Sequence, residues 1–162
     1  MAPTQLRSGA LQTTVTDTGV TGILDGQVTG LDVLDPTENE QTSLLEVDDE
    51  FDVVLSWELT GDSTPVVGGY WIVSLYSDDM DGQGLMTGLI AGPDIIQFSG
   101  GVSPLQFQHK FTVAPPKPQL GLYQLTAVIN ESPTGNQNQL TEMFGYAEST
   151  PILITKTVVE SN

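Results

Sequence analysis

Leu120-Gly121-Leu122-Tyr123-Gln124-Leu125-Thr126-Ala127-Val128-Ile129 is the stretch on which the fold turns. Side chains alternate across a β-strand with a period of two, so Tyr123, Leu125, Ala127 and Ile129 share one face while Gln124 and Thr126 share the other. The segment reads as one strand with a buried side, and Gly121 stands two residues before its tyrosine.

The same alternation recurs on both sides of it. Phe51, Val53, Leu55, Trp57 and Leu59 alternate with Asp52, Ser56, Glu58 and Thr60, and only Val54 breaks the polar side, which makes this the clearest strand in the chain. Residues 61 to 65 close it, and residues 69 to 76 follow with Trp71, Val73 and Leu75 on one face. Leu105, Phe107, His109, Phe111 and Val113 alternate with Gln106, Gln108, Lys110 and Thr112, after which Pro115, Pro116 and Pro118 force the chain out of a sheet. Earlier, Val28 to Leu34 is a first core strand, Asp35 to Gln41 is rich in turn residues, and Leu44, Leu45 and Val47 resume an edge. Residues 77 to 84 read as a loop, and residues 85 to 90 and 95 to 98 as short apolar pieces whose pairing the sequence does not assign. Residues 130 to 150 read as a polar loop about twice the usual length, with Met143, Phe144 and Tyr146 embedded in it. Residues 151 to 159 form a final strand.

The spacing of Gly121, Tyr123, Leu125 and Ala127 resembles the tyrosine corner and strand F of immunoglobulin-like sandwiches, in which the tyrosine hydroxyl bonds backbone a few residues upstream. If residues 51 to 59 are strand B and residues 69 to 76 strand C, Trp71 is similar to the buried tryptophan of that family's strand C. Leu55 or Trp57 and Leu125 then stand where antibody domains carry two cysteines. The chain has no cysteine, which excludes the antibody type and leaves the broader class. The resemblance implies an all-β, immunoglobulin-like antiparallel β-sandwich of about seven to nine strands. Residues 1 to 26 are expected as an N-terminal arm or edge strand, and residues 27 to 162 as a single sandwich domain. Lys110 is expected to face outward beside Asp52 or Glu58, because strands B and E are neighbours in this class.

A chain of 162 residues suits one domain that buries roughly 70% of its unfolded surface. The charge is the least ordinary feature. Against 21 Asp and Glu stand 4 Lys and Arg, for a net charge of −17. Such a surface repels phosphate backbones and anionic lipid, so nucleic acid is not expected as a partner, while a cation or a basic protein can be attracted. No run approaches the ~20 apolar residues of a membrane span, and the start lacks the charged and apolar regions of a secretory signal. Membrane insertion is therefore not expected, and localisation stays open between the cytoplasm and a particle or cell surface.

Asp78, Asp79 and Asp81 place carboxylates before Gly82 as the first half of a Ca²⁺ loop does. Gly88 stands where such a loop needs its bidentate glutamate, so a solvated acidic turn is the simpler reading, and Ca²⁺ is the one cofactor these residues bring into view. Glu46, Asp48, Asp49, Glu50 and Asp52 crowd the entrance to strand B, either as a site for cations or a basic surface or as a charge-blunted edge that resists aggregation. His109 is the sole histidine and its parity puts it on the apolar side of its strand, where a hydrogen-bonded structural role is the expectation. Asn130, Glu131 and Ser132 form a glycosylation sequon weakened by Pro133. No nucleophile elbow, phosphate-binding loop or zinc set is present, so no catalytic residue is assigned. These features favour a non-catalytic interaction or assembly module, a structural subunit at a cell or particle surface that binds a protein partner or further copies of itself. The alternative is a lectin-like or Ca²⁺-dependent ligand-binding sandwich.

Overall fold

The computed structural model describes residues 7–8, 10–11, 25–35, 40–61, 68–82, 86–115, 118–140 and 144–156. Among these are eleven strands and no helix: β1 (Arg7–Ser8), β2 (Ala10–Leu11), β3 (Asp25–Leu34), β4 (Leu44–Glu46), β5 (Phe51–Thr60), β6 (Gly68–Asp79), β7 (Gly88–Ser99), β8 (Leu105–Val113), β9 (Gly121–Ser132), β10 (Phe144–Glu148) and β11 (Ile152–Thr155). They form two sheets. The smaller runs β2-β3-β5-β8, and the larger is centred on β9.

β9 pairs with β6 along one side, and β6 pairs in turn with β7. The other side of β9 is shared by β10, opposite Thr126 to Asn130, and β11, opposite Gly121 to Tyr123. β1 extends the sheet beyond β10 and β4 beyond β11. The break between the two halves falls at Ser149, whose N–H bonds the Leu125 carbonyl at 2.8 Å and whose Oγ accepts from Leu125 N–H at 3.0 Å. The ladder is thereby carried across the interruption by one buried side chain.

The two-residue period of β5 is realised in full, with Phe51, Val53, Leu55, Trp57 and Leu59 buried and every intervening residue half-buried. They join Trp71, Val73 and Leu75 of β6 and Tyr123, Leu125, Ala127 and Ile129 of β9 in one hydrophobic cluster. A leucine or phenylalanine buried this way contributes roughly 1.5–3 kcal/mol, so these two faces carry most of the fold's stabilisation. Trp57 and Trp71 meet edge to face with centroids 5.7 Å apart, and Phe107 and Phe98 stack on them at 5.6 and 4.7 Å. Both indole N–H groups are buried without an acceptor. Edge-on aromatic contact, in which a ring's positive edge meets a π face, offsets part of that cost.

The tyrosine corner is present. Tyr123 donates its hydroxyl to the Leu120 carbonyl at 2.8 Å. An immunoglobulin-like sandwich follows from this topology, with β5, β6, β8 and β9 in the places of strands B, C, E and F.

Four expectations need correction. The chain is not wholly antiparallel, because β4 crosses to the larger sheet and runs parallel to β11. β6 does not stop at Tyr76 but continues through Asp79, paired with β9 to its end. The apolar pieces at 85 to 90 and 95 to 98 include parts of one strand, β7, whose continuity was hidden by Gly92-Pro93 and by register shifts opposite Val73 to Tyr76. The loop expected over 130 to 150 contains β10, whose inward residues are Gly145 and Ala147 and whose outward ones are Phe144 and Tyr146. That inversion of the usual polarity hides a strand from a pattern search. Of the expected arm, the described residues pair with both sheets of the same domain, β1 on β10 and β2 on β3. The final strand is described as Ile152–Thr155, and residues 157 to 159 lie outside the described residues.

Candidate interaction face

The outward sides of the two sheets differ in chemistry. On β5 and β8 the outward positions are Asp52, Ser56, Glu58, Thr60, Gln106, Gln108, Lys110 and Thr112, relieved only by Val54. The larger sheet is different. Leu44, Tyr76, Leu89, Ile95, Phe144, Tyr146 and Leu153 are all exposed, and among the strand residues whose burial is described these are the only exposed large hydrophobics.

The pairing registers turn this set into rows. Ile95 lies opposite Ile72, Ile72 opposite Asn130, and Asn130 opposite Phe144, so one row crosses four strands. Leu89 lies opposite Tyr76, which lies opposite Thr126. Tyr146 lies opposite Val128, and at the far end Leu44 lies opposite Leu153. Gly135, in the turn after β9, packs against Tyr70 and Ile95, so that turn caps one corner of the face. The cause is legible in β6: Tyr70, Ile72 and Tyr76, interrupted by Ser74, are apolar or aromatic on one parity, and Trp71, Val73 and Leu75 on the other. An antiparallel strand with one solvated face alternates polar and apolar residues, whereas one apolar on both sides is built to be covered on both.

The residues singled out from sequence fall elsewhere. Asp78 and Asp79 are successive residues of β6, opposite Gln124 and Tyr123, and strand parity sends their carboxylates to opposite faces of the sheet. Asp79 Oδ1 accepts from Asp81 N–H at 3.1 Å and Asp81 Oδ2 from Leu122 N–H at 3.3 Å, closing the turn onto β9. Desolvation, with the charges of Asp79 and Asp81 adding to it, pushes the Tyr123 hydroxyl pKa upward. Among the described residues no three carboxylates or histidines are gathered as a metal site. The three aspartates are thus not brought together, and two of them organise backbone.

In the cluster at the entrance to β5, Asp52 accepts from Thr112 Oγ1 at 2.8 Å and lies 4.0 Å from Lys110 Nζ, as the outward parity of Lys110 implied. His109 Nε2 lies 2.8 Å from Asp94 Oδ2 and edge-on to Phe111, joining β8 of one sheet to β7 of the other. It is a cross-sheet tie. Ser132 of the sequon is buried, donates to the Asn136 carbonyl and accepts from Thr134 and Gly135 N–H, so its hydroxyl is committed to the turn.

No family model and no curated protein matches the chain. Among solved structures it is similar to the CARDB domain of a Pyrococcus furiosus protein in complex with di-metal ions, at 13% identity and a TM-score of 0.48, over 85% of this chain and 99% of that one. It is also similar to a β-glucosidase from Listeria innocua, at 7% identity, with TM-scores of 0.44 for the glucose complex and 0.46 for the isofagomine complex. Each covers 86% of this chain, which spans 17% of the glucosidase's length. These likenesses are of strand arrangement, and the fold assignment rests on the two sheets themselves.

Proposed function

We propose that this chain is a non-catalytic interaction module, a structural or assembly domain that binds a protein partner through the outward face of its larger sheet. The observation that supports it is the segregation of exposed apolar side chains: among the strand residues whose burial is described, all of them belong to the larger sheet. Isolated exposed hydrophobics are ordinary, but apolar residues aligned in register across neighbouring strands mark a surface meant to be covered. Tyr76, Phe144 and Tyr146 supply the aromatic area in which protein interfaces are enriched. The net charge of −17 adds long-range attraction for a basic partner.

The test is a photo-crosslinking residue introduced into the full chain at Tyr146, compared with one at Gln27 on the outward side of the smaller sheet, in the cells that make the protein. Discrete protein adducts are expected from position 146, none from position 27, and loss of the former when Leu89 and Ile95 are both replaced by lysine. No adduct at 146, or the same adducts from both positions, overturns the reading.

A further inference from the structure

We infer that β8 is a second, self-complementary contact, at which two copies of the chain join edge to edge in antiparallel register with His109 on the two-fold axis. This goes beyond the partner-binding face and stands independently of it. Among the described strands, β8 ends the smaller sheet, pairing with β5 on one side only. It matches β5 over nine consecutive positions with no register shift and contains neither glycine nor proline. The other sheet ends are blunted. β7 carries Pro93 and register shifts against its one partner, β4 is three residues long, and β1 and β2 are two each. A long, regular, unprotected edge is a template for strand addition, because it offers unpaired N–H and C=O groups to another strand.

Charge selects the occupant. In a chain of net charge −17, residues 95 to 130 contain no Asp or Glu and carry His109, Lys110 and Lys117. β8 itself carries no carboxylate, and the two that lie beside it, Asp94 and Asp52, are matched by His109 and Lys110, so a second copy of the acidic chain meets less repulsion there than at an edge bearing unmatched carboxylates. The apolar side of the junction is also unfinished: Leu105 and Phe107 of β8, with Ile96 and Phe98 of β7, pack on the core yet remain partly exposed. A strand laid along β8 covers more of them.

Register follows from length. All nine residues of each edge are paired only when His109 lies opposite His109 of the second copy. Outward, that register sets Gln108 against Lys110 of the second copy and Gln106 against its Thr112. Inward, it sets Phe107 against Phe111 and Leu105 against Val113. No acidic pair and no lysine pair is created, and an aromatic pair, among the favourable cross-strand combinations, is formed twice.

The test is sedimentation equilibrium of the full chain across concentration and salt, with variants at the exposed Gln108. A dimer that tightens with added salt is expected, since screening relieves the repulsion of two acidic bodies. Gln108→Lys places lysine against Lys110 twice per dimer and raises the dissociation constant roughly 2- to 30-fold, while Gln108→Glu lowers it by a similar factor. The double variant Gln108→Lys, Lys110→Glu returns it towards the starting value. A chain monomeric at every concentration, or a dimer indifferent to all three variants, overturns the proposal. Ile95→Lys with Tyr146→Lys leaves this dimer intact. If that variant dissociates the dimer and the Gln108 series does not, the edge contact is wrong while the face reading survives.

Discussion

Tyr123 donates its hydroxyl to the carbonyl of Leu120 at 2.8 Å, and its ring lies against the backbone of Gly121 between them. Gly121 has φ +146°, and a Cβ built there stands 2.9 Å from the tyrosine oxygen. Both the backbone conformation and the aromatic lid require glycine.

Gly121→Ala is expected to cost about 1–3 kcal/mol in urea denaturation, from backbone strain with the steric clash added to it. Tyr123→Phe removes one hydrogen bond, a loss of roughly 0.5–1.5 kcal/mol. Because the hydroxyl is the nearest atom to the added Cβ, Gly121→Ala is expected to cost less in the Tyr123→Phe background than alone. Equal costs would show that the two residues do not act as one unit.

The raised pKa of Tyr123 makes a pH prediction whose sign is fixed. Desolvation and the nearby Asp79 and Asp81 disfavour the phenolate in the folded protein, whereas the unfolded chain ionises near the ordinary value of 10.0. The group's contribution to stability is thus complete below that value and is lost as pH rises through the higher folded-state pKa. Melting temperatures between pH 8 and 12 are expected to fall more steeply for the native chain than for Tyr123→Phe. Parallel curves would refute the assignment.

Millimolar Ca²⁺ is expected to raise the melting temperature by general neutralisation of an acidic surface, and Mg²⁺ to do so equally. Asp79 and Asp81 already accept backbone N–H groups, and Asp78 projects from the other face. Calorimetric titration decides the point: a Ca²⁺-selective, micromolar binding event abolished by Asp79→Asn with Asp81→Asn would establish a site that this geometry does not favour.

Where the alternation was clean, sequence located the structure. Residues 51 to 59, 105 to 113 and 121 to 129 lie within β5, β8 and β9, and Trp71 and Tyr123 are buried in one core. Where polarity is inverted, as in Phe144, Gly145, Tyr146 and Ala147, a strand with small residues inward reads as a loop. Acidic Asp78 and Asp79 had the same effect at the end of β6, because charge is an uncertain guide to pairing when one face of a sheet meets water. The exposed apolar face of the larger sheet left a signal in the unbroken apolar run from Tyr70 to Val73. Its extent was not legible, since it depends on which strands become neighbours and so on the registers of β7, β9 and β10 against β6 and one another.

The parallel pairing of β4 with β11 sets the order in which the larger sheet closes. Its contacts join positions as far apart as Leu45 and Thr155, whose hydrogen bond spans 110 residues. β5, β6, β7, β8 and β9 all lie between those partners and can pair earlier at lower loop-closure cost. β10 and β11, which complete the other flank of β9, both follow it in sequence, so that flank stays open while β5 to β9 pair. That flank of β9 is thus open to wrong partners for longer than its β6 side, and a closure of such long range slows folding relative to pairing across local turns.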